Sequence, residues 1–491
     1  MSAPVPDGAG GSAGSAVSPA AQPDRPPGTP TRRGTELVLL AFASVLVTAA
    51  LVLVEANQEQ QLTMQIVYYG LSYLALFGGA HIAVRRWAPY ADPIMLPCVA
   101  LLNGIGLVMI HRLDLAYAAS AAQAGHTYTA EAPKQMLWTT VGLVMFVLVL
   151  AFVKDHRTLS RYGYTFGLVG VAAFLLPGLL PSSLSAINGA KVWLLVGPFS
   201  LQPGEFAKIL LIIFFAAFLV AKRDLFMAAG RTFAGIEWPR PRDLGPLVLA
   251  LAISVGALAL EKDLGNSLLI FGIVLVMVYV ATERAAWIII GLVPFIGSCV
   301  LAYKMFTHVQ QRVANWIDPF THYATTGYQL SQALFGLGTG GIFGTGLGAG
   351  RPSLVPEANS DFIISSIGEE LGLLGLFAVL VLYMLLAMRG LRGAVAVRDT
   401  FGKLLGGGLA FSLLWQVFVV VGGVTKLIPE TGLTSPWLSA GGSSVMANYL
   451  LLALLLRISD TARKPRAGTS RPKLPDQPIA EASTVLVERP S

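Results

Sequence analysis

The sequence predicts an all-α polytopic membrane protein of twelve transmembrane helices, and three observations carry that expectation. Hydrophobic residues fill 54% of the 491 positions and charged residues only 12%, well outside the range of soluble domains. The apolar residues gather into nearly charge-free runs, each suited to a hydrocarbon core about 30 Å thick. Runs such as 211–220, Leu-Ile-Ile-Phe-Phe-Ala-Ala-Phe-Leu-Val, also lack the polar face that a helix in a soluble protein presents to water.

In order, the runs lie at 36–54, 66–84, 93–110, 135–153, 162–180, 204–221, 243–260, 264–281, 286–303, 362–388, 402–425 and 442–456. Their orientation follows from basic residues in the connections. With the N-terminus inside, 25 of the 34 Lys and Arg fall on the inner side, 8 on the outer side, and Lys208 within a span. Both termini are therefore predicted to be cytoplasmic. The net charge of +7 is a topology signal with some attraction to anionic lipid headgroups, and no nucleic-acid partner is expected. Cys98 and Cys299 sit in apolar runs, which suggests neither a disulfide framework nor a thiolate metal site. Residues 1–35 and 458–491, rich in Pro, Ala, Ser and charge, read as disordered tails, and the first shows no signal-peptide pattern. The outer connection 304–361 is far longer than any other, and its aromatic residues predict an ordered, functional loop.

Charge where a bilayer discourages it marks four stretches. In Asn188–Lys208, a loop enters a helix near Pro203, and Glu205 lies three residues before Lys208 on the same face. That pair is either a structural lock between helices or part of a site. Glu261-Lys-Asp263 forms a charged outer turn leading into Asn266 and Ser267, with Asp263 as a cap or a site residue. The long loop holds Arg312, Asp318, Gln329 and Gln332, then eight glycines between Gly336 and Gly350. No Gly-Lys-Ser/Thr follows those glycines, so a nucleotide cradle is not expected. Finally, Glu357 and Asp361 precede an apolar helix that contains Glu369 and Glu370. Asp361 reads either as an N-cap or as a carboxylate desolvated toward general-base duty.

Six spaced motifs resemble one family. They are Asn188-Gly-Ala-Lys191-x-Trp193; Gln202-Pro-x-Glu205-Phe-Ala-Lys208; Asp263-Leu-Gly-x-Ser-Leu; Asp318-Pro-Phe with Gly327-Tyr-Gln-Leu-x-Gln-Ala-Leu; Pro356-Glu-x-x-x-Asp361-Phe-Ile with Gly368-Glu-Glu-Leu-Gly; and Pro436-x-Leu-Ser439-x-Gly-Gly-Ser. Together they resemble the SEDS family of cell-wall proteins, RodA and FtsW, over residues 93–457. The resemblance implies a ten-helix core in the bacterial cytoplasmic membrane, with the spans before residue 93 as an addition of the actinobacterial sort. It implies a peptidoglycan glycosyltransferase that polymerises lipid II, works with a class B penicillin-binding transpeptidase and releases undecaprenyl pyrophosphate. The essential acid falls on Asp361, and the intramembrane charged pair on Glu205 and Lys208. The basic-aromatic segment falls on Lys191 and Trp193. Two positions depart from the family pattern, Val192 where a second basic residue is frequent and Ala440 where tyrosine is common.

The chemistry this implies needs a single base. An α-linked pyrophosphate donor yields a β-1,4 glycan by one in-line displacement, with Asp361 taking the acceptor proton and Arg312, Lys191 or Lys304 neutralising the leaving group. A divalent cation could share that work, but the sequence offers no ligand set. The competing classes are a lipid II transporter and a scaffold of the wall-building complex. No internal repeat favours the transporter, and the polar residues gather on the outer face. The extra helices and short tails lean to the elongation branch, RodA, over the division branch, FtsW.

Overall fold

A computed structural model describes residues 31–465 apart from 59–63, 188–189, 198, 224–231, 234–235, 238–243 and 262. The expected disordered tails fall largely outside the described residues, as do Asn188 and Gly189 of the first motif.

The apolar runs form helices α1 (Arg33–Asn57), α2 (Met64–Trp87), α3 (Met95–Gln123), α4 (Ala132–Phe152), α5 (Gly163–Leu179) and α6 (Pro203–Ala221). They continue as α7 (Gly245–Glu261), α8 (Leu264–Thr282) and α9 (Ala286–Met305). After two shorter helices, α10 (Thr307–Ile317) and α11 (Tyr328–Gly340), come α12 (Ile363–Ala396), α13 (Thr400–Val424) and α14 (Gly442–Arg463). Ten of these are long and apolar enough to cross a membrane, while α5 and α7 are shorter apolar helices. All twelve coincide with predicted runs, because hydropathy over a bilayer's thickness is the strongest signal a sequence carries. Apart from a hairpin of β1 (Leu194–Val196) and β2 (Phe199–Leu201) and one two-residue pair, the described fold is helical.

Two boundaries differ from expectation: α14 runs on to Arg463, into the stretch 458–491 read as a disordered tail, because Asp460 is tied to the Tyr90 amide, and α3 outruns its predicted end. Residues 111–123 were expected to begin an outer loop, yet α3 continues through them, because its charges find partners inside the protein. Arg112, 3% exposed, donates from Nε to Glu370 at 2.9 Å, and Asp114 accepts from Tyr128 Oη at 2.7 Å and from the backbone of Ala132 at 2.7 Å. The long loop is ordered as expected, and it is itself mostly helical, through α10, α11 and a 3₁₀ turn at Pro352–Leu354. It folds back onto α12, which breaks at Gly372, where φ of 69° suits only glycine. The amides of Leu373 and Leu374 then donate to Gly341 O and Ile342 O rather than to their own helix.

Helix α4 packs on α14, α12 on α13, α5 on α6, and α1 on both α2 and α3. The charged groups sort to two ends. At one end, Asp92 meets Arg463 at 3.1 Å and Arg389 at 3.6 Å, and Asp460 accepts from the Tyr90 amide at 2.8 Å. These arginines are among those that the charge bias places inside. The long loop occupies the opposite end, so a cysteine at Ser353, with Cys98 and Cys299 replaced, should react with an impermeant thiol reagent added outside. A cysteine at the exposed Ala396 should not, and the reverse pattern would overturn the orientation.

Candidate active site

Asp361 lies two residues before α12, at the meeting of three loops. Helix α12 starts after Phe362, whose backbone (φ −105°, ψ 17°) is not that of a capping residue, and no side chain caps it. The N-cap reading of Asp361 therefore fails. Its carboxylate instead accepts a 3.1 Å hydrogen bond from Ser360 Oγ and turns toward Gly432. A Cβ placed on Gly432 would lie 3.6 Å from Asp361 Oδ2 and 3.5 Å from Arg312 NH2, so the acid and the guanidinium flank one point.

Arg312 projects from α10 and donates to Glu430 O at 3.1 Å. Burial pushes the Asp361 carboxyl above the usual carboxylate range; the Ser360 hydrogen bond and Arg312 oppose that rise, while Glu357 and Asp263 add to it. Burial raises Glu430 as well, with Arg312 opposing. Asp318, an alternative acid in the same loop, goes the other way, because hydrogen bonds from the Thr321 hydroxyl and amide hold it below the usual range. Of the two carboxyls, Asp361 is the one that burial raises, the direction a base working near neutral pH requires.

The loop before α14 holds Asp361 from behind. Ser439 Oγ donates to Ser360 O at 2.6 Å and accepts from the Ser435 amide at 2.8 Å, and the Ala440 amide donates to Asn359 O at 2.8 Å. Asp263 is both cap and neighbour. It accepts from the Asn266 amide at 2.9 Å at the start of α8, and its charge still reaches Asp361.

Glu205 and Lys208 form a 3.0 Å ion pair, each 2% exposed, on the first turns of α6. Lys208 also donates to Gln416 Oε1 at 2.7 Å, and Gln416 Nε2 donates to Thr434 O at 2.9 Å. The pair thus reaches the same loop that holds Ser360. Lys191 donates to Leu180 O at 3.3 Å, which gives it a structural partner at the end of α5. Gln329 donates to Pro356 O at 3.0 Å and Gln332 to Tyr323 Oη at 2.8 Å, so both order the long loop. Glu369 accepts from the Arg351 amide at 2.6 Å, while Glu370 pairs with Arg112. Lys304 is exposed at the end of α9.

Beside Ser360 opens a cleft of about 880 Å³, lined by Tyr117, Tyr128, Trp138, Trp193, Glu357 and Asn359 among others. A second cavity of about 300 Å³ is almost wholly apolar, with Leu268, Phe295, Val309, Val313 and Trp415 in its wall. Val313 follows Arg312 in α10, and Thr431, also in that wall, follows Glu430. Among the described residues no group of three or more His, Cys, Asp or Glu is placed to hold a metal ion. Sequence reasoning missed Gln416, Glu430 and the Arg112–Glu370 pair. A lone glutamine in the apolar run 402–425 was the one available signal.

The chain matches the FtsW/RodA/SpoVE model, described as cell cycle protein, over residues 93–464. It is 55% identical to the peptidoglycan glycosyltransferase RodA of Mycobacterium tuberculosis (strain ATCC 25618 / H37Rv) across 94% of this chain and 97% of that one. Identity to the probable peptidoglycan glycosyltransferase FtsW of Geobacter sp. (strain M18) is 30%, across 77% and 99%. Among solved structures, one chain of a peptidoglycan synthase complex that coordinates polymerization and crosslinking superposes with a TM-score of 0.59 at 25% identity. That match covers 76% of this chain and 99% of that one.

Proposed function

This chain belongs to the FtsW/RodA/SpoVE family of cell cycle proteins, and we propose that Asp361 is the base with which it polymerises lipid II on the outer face of the cytoplasmic membrane. It is a multi-pass membrane peptidoglycan glycosyltransferase, more like RodA than FtsW. One observation carries the site assignment: a half-buried carboxylate of raised pKa, fixed from behind by Ser439 through Ser360, shares one point with Arg312 in a small pocket with Glu430 and Gly432, next in the chain to Asn359 and Ser360, which line the large cleft.

The step itself is a single displacement. Asp361 removes the proton from the acceptor sugar's 4-hydroxyl, and the resulting oxygen nucleophile attacks the anomeric carbon of the donor. The bond to the pyrophosphate breaks with inversion, and Arg312 offsets the charge that develops on the departing oxygen. At about 880 Å³ the cleft is in the range of small-molecule sites, and Trp138 and Trp193 offer flat apolar faces to sugar rings among polar groups. The apolar cavity walled in part by Val309 and Val313, on the helix that carries Arg312, suits the isoprenoid chain that the pyrophosphate carries. The likeness to a synthase that couples polymerization to crosslinking supports a class B penicillin-binding transpeptidase as partner.

The assignment has a pH signature. A base must be deprotonated to act, so kcat/KM should fall as pH drops through the Asp361 pKa, and burial places that acid limb above the usual carboxylate range. Arg312 lowers this pKa, so Arg312→Gln should move the limb to higher pH as well as slow turnover. A limb at the ordinary carboxylate position, unmoved by Arg312→Gln, would remove Asp361 as the base.

A further inference from the structure

Helices α1 and α2 precede the residues shared with the family, and nothing in the site described so far uses them. Yet the end of α1 touches the outer loop. Asn57 Nδ2 donates to Leu347 O and Gln58 Nε2 donates to Gly348 O. The approach is close, since a Cβ on Gly348, at φ +84°, would lie 2.9 Å from Asn57 Cβ and 3.1 Å from Val54 O. Glu55 binds His111 of α3 at 3.3 Å, which fixes this end of α1 to the core one residue before Arg112.

From there the contacts lead to the cleft. The Gly348 amide donates to Glu370 Oε2 at 2.9 Å, Glu370 Oε1 takes Arg112 Nε at 2.9 Å, and Arg112 NH2 donates to Gly350 O at 2.7 Å. The next amide, Arg351, donates to Glu369 at 2.6 Å. The chain then enters the 3₁₀ turn Pro352–Leu354, and Ser353, Leu354, Val355 and Glu357 form one wall of the 880 Å³ cleft. By contrast Asn359 and Ser360, next to Asp361, are held separately from the loop before α14.

We propose that the end of the N-terminal helix α1 braces the glycine-rich turn 344–350, with Asn57 and Gln58 as positioning residues that set the 352–357 wall of the substrate cleft. This rests on the reading of that cleft as the lipid II site. Because the brace acts on the wall and not on the mount of Asp361, it governs substrate affinity more than turnover.

The test uses full-length protein in liposomes with Asn57→Ala/Gln58→Ala, and Tyr73→Phe as the control. Tyr73 Oη donates to Ala100 O, so this change loosens α2 against α3 without touching the turn. Amide hydrogen exchange should speed up across 344–357 in the double variant and stay at the parent rate around 425–441. Loss of two neutral hydrogen bonds should raise KM for lipid II about tenfold with kcat within about twofold. Tyr73→Phe should lower the thermal transition and leave KM as in the parent. Unchanged exchange at 344–357 overturns the brace whatever the activity. Faster exchange with unchanged KM also overturns it, as does an equal rise in KM in Tyr73→Phe. Failure of the cleft reading would look different, since Trp193→Ala, a change in the cleft lining away from the braced turn, would then also leave KM as in the parent.

Discussion

Replacing Glu205 by alanine should destabilise the protein by about 3–5 kcal/mol, because it strands the Lys208 ammonium, itself 2% exposed, inside the helix bundle. The readout is the thermal transition of the purified protein in detergent. A double change, Glu205→Leu with Lys208→Met, removes both charges and should bring stability back close to the parent, as apolar replacement of buried pairs often does. Polymerisation should not return with it. Lys208 also donates to Gln416, and Gln416 to Thr434 O, in the loop whose Ser435 and Ser439 hold Ser360 beside Asp361. Without the ammonium, Gln416 loses its partner and the mount of the base loosens, for a turnover loss of at least about tenfold, since a displacement near 1 Å can cost ~10²-fold. Full activity in the stable double variant would reduce the pair to a lock between helices.

Much of this site was legible in the sequence because its information is local. Glu205 and Lys208 stand three apart after a first-turn proline, so their pairing follows from helix geometry alone. The Asp-Leu-Gly-Asn order left Asp263 open between cap and site, and the folded chain gives it a cap bond and a place near Asp361 as well, while hydropathy located all twelve apolar helices. Contacts made across long stretches of chain were not legible. Arg112 pairs with Glu370, 258 residues away, and so stays helical where a charge seemed to end the span. Ser439 reaches Ser360 across 79 residues. The motif that contains Ser439 marked the residue, though not the atom it would hold. The N-cap reading of Asp361 shows the limit of a local rule, because Ser-Asp before an apolar run fits a cap equally well. What decides is the backbone at Phe362, together with Ser360, Arg312 and Gly432 around the carboxylate, and only the folded chain supplies these.

The most direct test of Asp361 as the base is lipid II polymerisation by the Asp361→Asn variant, purified and reconstituted in liposomes. Asparagine keeps the size of the side chain and can still accept from Ser360 Oγ, so the variant should express and fold like the parent. It cannot take up the acceptor proton. Glycan synthesis should therefore fall by ~10²–10⁴-fold, the range for loss of a general acid or base. Polymerisation at close to the parental rate would contradict the account.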